Sequence, residues 1–220
     1  MQTIGKGGFG KAKIIIYNDQ KCVVKFMNYN NSESATLANC TINRSKASRE
    51  AEIMIYLKEC KYIPKLYAIK DHAIYMKYYP LGSLSEVMKK RISSKENFFR
   101  YFLLYDILKG LEYIHSKKIV HSDLKCSNIL CDSIDDQVTC IISDFGSAGI
   151  VGEELISYTK GYNAPELLKN KKLTFEADIY SLGKLIIEIF VFGIDITQID
   201  ISNIDKILNY TYFFNNEYIK

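Results

Sequence analysis

Residues 121–128 of the chain read His-Ser-Asp-Leu-Lys-Cys-Ser-Asn, and the triplet Asp144-Phe145-Gly146 follows sixteen residues after the last of them. Farther along, Ala164-Pro165-Glu166 precedes Asp178-Ile-Tyr-Ser-Leu-Gly183, where a strongly apolar run at helical spacing begins. The residues around the first two segments, 119–145, alternate short apolar runs with polar turns. The polar segments therefore stand out as candidates for a functional site.

A glycine-rich segment, Ile4-Gly-Lys-Gly-Gly-Phe-Gly-Lys-Ala12, lies near the N-terminus and has the spacing G-x-G-x-x-G. Glycines let the backbone approach phosphates closely, so that free N–H groups can bind phosphate oxygens. Strands are predicted on both sides of the segment, which argues against a dinucleotide-binding fold, where the third glycine opens a helix. No Gly-Lys-Ser/Thr sequence follows, which argues against a Walker loop.

Lys25 lies fifteen residues after Gly10, within the apolar sequence Val-Val-Lys-Phe-Met. It is either an edge-strand lysine that faces solvent or a cation directed at phosphates under the glycine-rich segment. The presence of that segment favours the second interpretation.

The first third of the chain is predicted to be rich in strands, with one helix, and the remainder to be mostly helical. The helix over 97–116 is amphipathic, with Phe102, Leu103 and Ile107 among its apolar positions. In chain order the predicted elements are a strand over 11–16, a hairpin turn at Asn18-Asp19, a strand over 21–27, a loop over 28–46, a helix over 47–60 with Ser48 as N-cap, two strands within 66–79 joined at Lys70-Asp71-His72, a break at Pro80-Leu81-Gly82-Ser83, and helices over 97–116 and 176–192.

The composition is that of an ordinary globular protein, with 48% apolar and 25% charged residues, so wholesale disorder is excluded. A net charge of +4 on 29 basic and 25 acidic residues is not the footprint of a nucleic-acid binder. The N-terminus has no apolar core of signal-peptide length, and Glu188 and Gly193 interrupt the longest apolar run. Six cysteines without a C-x-x-C pair predict reduced thiols and no zinc site. We expect an intracellular protein without a membrane or nucleic-acid partner.

Taken together, these segments resemble those of a eukaryotic-type protein kinase. The glycine loop, Lys25, the His-x-Asp-Leu-Lys-x-x-Asn block, Asp-Phe-Gly, Ala-Pro-Glu and the start of a central helix occur in the family's order and at its spacings, over nearly the whole chain. The resemblance implies an α+β, two-lobed protein kinase fold. A β-rich N-lobe over 1–79 and a mostly helical C-lobe over 80–220 would together form one kinase domain.

The same resemblance implies ATP and Mg²⁺ as cofactors and a protein hydroxyl as phosphate acceptor. Asp123 would accept or orient the proton of the attacking hydroxyl, and Lys125 would stabilise charge on the transferring phosphate. Asn128 and Asp144 would hold Mg²⁺, a hard ion that prefers oxygen ligands and bridges to phosphates.

The resemblance also places the nucleotide. Lys25 would contact the α- and β-phosphates and pair with a glutamate of the first helix, for which Glu50 is chosen over Glu52. The backbone of residues 77–79 would bind adenine, with Met76 at the back of the pocket. The residues implied to contact ATP are Ile4, Gly5, Lys6, Gly7, Gly8, Phe9, Gly10, Lys11, Ala12, Val23, Lys25, Met76, Lys77, Tyr79, Leu130 and Asp144.

Two positions bear on the acceptor hydroxyl. Lys125 resembles the Ser/Thr-kinase version of the catalytic segment, and Thr159 stands where Ser/Thr kinases keep a threonine that bonds the catalytic Asp and Lys. We therefore expect Ser/Thr specificity. Ser127 occupies a position where many kinases of basic substrates have Glu, so the sequence offers no reason to expect Arg-directed substrates.

Ser122 stands where most kinases have an Arg that meets a phosphate on the activation segment. Because Ser cannot make that contact, we expect activity that does not require phosphorylation of Ser157, Tyr158 or Thr159.

The chain is also short for the family at both ends. The first strand is expected to be nearly absent, and only about 28 residues follow the central helix. No Arg follows Arg100, so the usual Arg partner of Glu166 is missing unless a Lys substitutes. The sequence Tyr210-Thr-Tyr-Phe-Phe214, or else a partner or dimer, is expected to cover the apolar surface of the C-lobe.

Two alternatives to an active protein kinase stay open. A pseudokinase would act as an ATP-binding scaffold module, although Lys25, Asp123, Asn128 and Asp144 are all present. A kinase of small molecules would not need Ala164-Pro165-Glu166, which builds a peptide-binding surface in protein kinases.

Overall fold

The computed structural model describes the backbone of residues 2–7, 10–27, 49–70, 73–90, 97–134, 137–191 and 196. Side chains are described from residue 12 onward within these ranges, apart from a few at segment ends. The predicted loop over 28–46, the predicted N-cap Ser48 and the tail Tyr210–Phe214 lie outside the described residues.

Five antiparallel strands form the sheet of the N-terminal lobe, in the order β1-β2-β3-β5-β4. The first, expected to be nearly absent, is six residues long and pairs with β2. The two strands predicted within 66–79 are confirmed as β4 and β5. The strand bounds are β1 Gln2–Gly7, β2 Gly10–Tyr17, β3 Gln20–Met27, β4 Leu66–Lys70 and β5 Ala73–Lys77.

The β2–β3 hairpin turns at Asn18 and Asp19, as predicted. Both have positive φ, 48° and 58°, which is the backbone of the tight turns that match strand twist. Asn and Asp tolerate this left-handed region better than other non-glycine residues. The turn fixes the register so that Lys25 lies opposite Ala12 on β2 and opposite Ile74 on β5.

Helix α1, residues 49–57, belongs to the same lobe and ends three residues earlier than predicted. Its apolar face is fully covered: Leu57 is 0% and Met54 2% exposed. Both side chains belong to a hydrophobic cluster that extends into the C-terminal lobe. The helix is therefore held between the sheet and the rest of the core.

The second lobe contains four helices and four short strands among the described residues. Helices predicted over 97–116 and 176–192 are confirmed within two residues at each end. The bounds are α2 Leu84–Lys90, α3 Asn97–Ser116, β6 Ile119–Val120, β7 Ile129–Ile134, β8 Gln137–Ile142, β9 Gly149–Ile150, α4 Pro165–Asn170 and α5 Phe175–Phe190. β7 pairs with β8 and β6 pairs with β9, both antiparallel.

The core of this lobe lies between α3, α5 and the β7–β8 hairpin. Leu103 and Ile107 of α3 and Leu185 of α5 are all 0% exposed. Phe102, predicted to face this core, is 52% exposed, because its place on the helix turns it away from α5 and β8. The prediction of a covering partner or dimer stays a prediction.

Two further findings concern membrane-spanning helices and the cysteines. Among the described residues, no helix is both long and apolar enough to cross a membrane. Five cysteines are free, buried thiols (Cys22, Cys60, Cys126, Cys131 and Cys140), and Cys40 lies outside the described residues.

Candidate active site

The segment after β6 is anchored by one buried carboxylate, that of Asp178 in the first turn of α5. Asp178 is 0% exposed. Its two oxygens accept hydrogen bonds from the backbone N–H groups of His121 (2.8 Å) and Ser122 (2.7 Å). His115 Nε2 lies 2.8 Å from the same carboxylate. Asp178 therefore fixes the backbone immediately before Asp123, a role that the sequence analysis missed because only the fold brings α5 to this segment.

His121 supports the same segment from within. Its Nδ1 accepts a hydrogen bond from the Asp123 N–H at 3.2 Å, and its Nε2 lies 3.0 Å from the carbonyl oxygen of Ser143. Because the carbonyl can only accept, the ring carries its proton on Nε2. The ring also contacts Phe145 edge-on, with 5.1 Å between centroids. His121 thus connects the segment around Asp123 to the one around Asp144.

Asp123, Lys125, Asn128 and Thr159 meet around one carboxylate. Asp123 Oδ2 accepts hydrogen bonds from Lys125 Nζ (2.7 Å) and Asn128 Nδ2 (2.9 Å). Lys125 Nζ also donates to Thr159 Oγ1 at 2.5 Å. The other oxygen, Asp123 Oδ1, is buried and has no partner among the described residues. A buried carboxylate with one oriented oxygen and one available acceptor can receive the proton of a hydroxyl.

Lys25 forms the centre of a second cluster. Its Nζ lies 2.6 Å from Glu50 Oε1 on α1 and 2.7 Å from Asp144 Oδ1. The structure thus pairs Lys25 with Glu50, whereas Glu52 is exposed. Asp144 has φ 66°, a left-handed backbone that is rare for a non-glycine residue and typical of functional sites.

The charged groups of this cluster shift one another's pKa values. Burial lowers the pKa of Lys25, but the carboxylates of Glu50 and Asp144 outweigh burial, and the pKa is raised above its ordinary value. Burial raises the pKa of Glu50, because the Lys25 charge only partly offsets the loss of water. Burial also acts to raise the pKa of Asp144, but there Lys25 prevails and the pKa is lowered. The folded chain therefore favours a protonated Lys25 and an ionised Asp144.

The residues expected at the adenine pocket lie on facing elements. Val23 pairs with Met76 across β3 and β5, and Met76 is 8% exposed. Leu130 forms a bridge with Ser83, a few residues after the connector between the two lobes (residues 77–79). Ala12 is half-buried on β2. The β1–β2 pairing brings Gly7 opposite Gly10, whereas Gly8 and Phe9 lie outside the described residues and the side chains of Ile4, Lys6 and Lys11 are not described.

The connector residues are held by their side chains. Tyr79 is 6% exposed, and its hydroxyl accepts a hydrogen bond from the Lys65 N–H at 3.0 Å. Burial raises the pKa of Tyr79 to about 12. Lys77 Nζ forms an ion pair with Asp132 on β7 at 2.6 Å. Both contacts tie the connector to neighbouring elements.

The oxygen atoms of Asn128 and Asp144 fit Mg²⁺. The amide nitrogen of Asn128 donates to Asp123, which orients the amide oxygen away from that residue. Asp144 Oδ1 accepts the hydrogen bond from Lys25 Nζ, which leaves Oδ2 as the oxygen for a metal ion. One amide and one carboxylate suit Mg²⁺, which usually takes few protein ligands and completes its shell with phosphate oxygens and water. Over the described ranges no group of three or more His, Cys, Asp or Glu side chains could hold a metal by itself.

Ser122 does not take over the contact of the missing Arg. It is 1% exposed with φ 67°, and its hydroxyl is buried without a partner among the described residues. Its carbonyl oxygen accepts a hydrogen bond from Asn163 Nδ2 at 3.2 Å. The side chain is therefore enclosed and does not reach residues 157–159.

Glu166 is exposed and forms no ion pair within the part of the chain that the structure describes. Helix α5 instead anchors the residues that precede Glu166. Ser181 Oγ donates to the Tyr162 carbonyl at 3.0 Å, and Lys184 Nζ donates to the Gly161 carbonyl. Lys184 is only 4% exposed, so these bonds are shielded from water.

Comparison with known proteins agrees with this geometry. The family model described as protein kinase domain matches residues 1–215. The chain is 30% identical over 206 residues to the probable serine/threonine-protein kinase PBL7 of Arabidopsis thaliana, covering 84% of this chain and 51% of that protein. It is 31% identical over 208 residues to mitogen-activated protein kinase 6 of Arabidopsis thaliana, covering 86% and 49%.

A tyrosine kinase is similar to the chain as well. The chain is 29% identical over 201 residues to tyrosine-protein kinase csk-1 of Caenorhabditis elegans, covering 87% of this chain and 35% of that protein. The relatives thus include kinases of both acceptor types. The chain spans about half or less of the length of each.

We predict that Asp178→Asn destabilises the protein by about 2–3 kcal/mol, because an amide cannot accept from both backbone N–H groups and leaves a buried donor unsatisfied. Urea denaturation followed by circular dichroism measures the change. Glu176→Gln, an exposed carboxylate in the same helical turn, is the matched control and should leave the free energy of unfolding unchanged. Equal stability of the two variants would contradict the anchoring role of Asp178.

Proposed function

Because the chain belongs to the protein kinase family, we propose that it transfers the γ-phosphoryl group of Mg-ATP to a serine or threonine hydroxyl of a protein substrate. The main support is the assembly of Lys25, Asp123, Asn128 and Asp144 in one cleft, each held by contacts of its own. Phosphoryl transfer depends mainly on positioning and charge neutralisation, and these side chains can supply both.

In the proposed step the acceptor hydroxyl oxygen attacks the γ-phosphorus, and the bond from that phosphorus to the oxygen of the β-phosphate breaks. Asp123 Oδ1 receives the hydroxyl proton, and ADP leaves. Lys25 holds the α- and β-phosphates, and Lys125 neutralises charge on the transferring group. Bound Mg²⁺, held by Asn128 and Asp144, would neutralise phosphate charge and help to orient the phosphates.

Serine/threonine specificity is proposed on the contact between Thr159 and Lys125. The threonine hydroxyl accepts a hydrogen bond from the same ammonium group that binds Asp123. Residue 159 is thereby linked through Lys125 to the Asp123 carboxylate. An intracellular setting is also proposed, since it supplies Mg-ATP and keeps thiols reduced.

We further propose that the activity does not require phosphorylation of residues 157–159. The enclosed Ser122 side chain offers no charge to a phosphate there. Ser157 Oγ is already hydrogen-bonded to Ser147 Oγ at 2.7 Å. Ser157 is thus held by a neutral hydrogen bond without a phosphate.

We predict that Asp123→Asn lowers kcat by about 10²- to 10⁴-fold, because the general base is lost. Purified protein is incubated with Mg-ATP and myelin basic protein, and phosphoamino-acid analysis identifies the acceptor. Phosphate should appear on Ser and Thr. A control variant, Glu112→Gln, changes an exposed carboxylate and should retain wild-type turnover.

Equal, background-level transfer by the wild type and Asp123→Asn would favour the pseudokinase alternative, in which the chain binds ATP as a scaffold module. Phosphate mainly on Tyr would overturn the proposed specificity and leave the kinase activity standing.

We predict that Ser157→Ala and Tyr158→Ala each retain kcat within about twofold, because neither residue contacts the catalytic side chains and substitutions of this kind usually change free energies by less than 0.5 kcal/mol. Thr159→Ala should lower kcat strongly, since it removes a bond to Lys125. The measurement is the initial rate before and after phosphatase treatment. Loss of turnover in either alanine variant, together with phosphatase inactivation of the wild type, would show that phosphorylation is required.

A further inference from the structure

Arg49 immediately precedes Glu50 on α1. It joins this helix at two points to residues 148–153 of the activation segment, the stretch of chain that follows Asp144. Its Nε donates to the carbonyl oxygen of Ala148 at 3.1 Å. Its Nη2 donates to the carboxylate of Glu153, with which it forms an ion pair. Ala148 lies four residues after Asp144 and is 0% exposed. One guanidinium group therefore connects the helix that carries Glu50 with the segment that carries Asp144.

Glu153 is held firmly by the segment around it. Its Oε2 also accepts a hydrogen bond from the Ile150 N–H at 2.7 Å. The backbone N–H of Glu153 donates to the Ile150 carbonyl at 3.1 Å, and the backbone carbonyl of Glu153 accepts from the Leu173 N–H at 2.8 Å. Ile150 belongs to β9, which pairs with β6 directly before His121. The carboxylate is thus fixed relative to the catalytic segment.

Gly149 leaves room for this contact. A Cβ atom at residue 149 would collide with Arg49 Nη2 and with the Glu153 carboxylate. A side chain at this position would therefore separate the two charges. Because residue 149 has no side chain, the ion pair can lie against the backbone of β9.

Part of α1 faces a cavity on this side. A cavity of about 470 Å³ lies between α1 and residues 117–119 and 150–153. Arg49 and Glu153 line this cavity, and their side chains are only 30% and 38% exposed. Partial burial reduces screening by water and salt, so the pair is stronger than an exposed one. It is the charged link between α1 and the activation segment on this side.

Successive residues of a helix are about 100° apart around its axis. Glu50 contacts Lys25 while Arg49 contacts Glu153, so a large rotation of α1 about its axis would disturb both contacts. We propose that the Arg49–Glu153 pair is a positioning device that holds Glu50 against Lys25. A carboxylate fixed in the activation segment thereby does what a phosphate bound there would do, and the inference rests on the proposed function.

The test is a double-mutant cycle with Arg49→Gln, Glu153→Gln and the double variant, assayed for kcat and for the KM of ATP. Each single variant should lower kcat about 10- to 100-fold, because Lys25 is no longer held in its productive position. KM should change less than kcat. The double variant should be no worse than Arg49→Gln, because that single variant already loses the ion pair together with the bond to Ala148.

Glu154→Gln is the matched control, because residue 154 is exposed and makes only a backbone bridge to Lys172. It should behave like the wild type. If Glu153→Gln also retained kcat within twofold, or if the two single effects were additive in the double variant, the pair would not position Glu50.

A second measurement separates this inference from the proposed function. Amide hydrogen exchange of residues 50–57 reports on α1 without any catalysis. Exchange should accelerate in Glu153→Gln and not in Glu154→Gln. Equal protection in the two variants would overturn the inference. If the wild type transfers no phosphate, the proposed function fails, and the exchange result alone decides whether the pair holds α1.

Discussion

The arrangement of the site depends on one partly buried cation, Lys25 Nζ, and the two carboxylates that it contacts. Glu50 comes from α1 and Asp144 from the segment after β8, residues that lie 25 and 119 positions away in the chain. Removal of the lysine would leave these two carboxylates close together without their shared cation, which is unfavourable in a partly buried site. The sheet, α1 and the segment that carries Asp144 are therefore held in one arrangement around this lysine.

A second buried group, Asp178, organises the catalytic lobe in a similar way. It holds the backbone of His121 and Ser122, and His121 in turn contacts Asp123 and the Ser143 carbonyl. Polar networks of this kind are strong when every member is satisfied. Two oxygens of this network, Ser122 Oγ and Asp123 Oδ1, are buried without a described partner, and the second is the atom proposed to receive the proton.

Arginine is scarce in this chain, and the two arginines that the structure describes make contacts that lysine would make poorly. Arg49 forms two directed bonds to the activation segment. Arg100 Nη1 donates to the carbonyls of Ile189 and Phe190, the last residues of α5, at 2.9 and 3.0 Å. A planar guanidinium with five donors suits both tasks. Ser122 and Glu166 show the opposite case, since neither of the two described arginines contacts them.

Local pattern was enough to predict four of the five strands of the first lobe and the long helices, because periodicity and turn residues are local properties, but it did not predict β1. The pattern could not show that Asp178 holds the backbone at His121, that Arg49 meets Glu153, or that Phe102 faces solvent. Each of these depends on how elements far apart in the chain pack together. Burial and partners are properties of that packing, and so only the tertiary structure decided which charged groups act on one another.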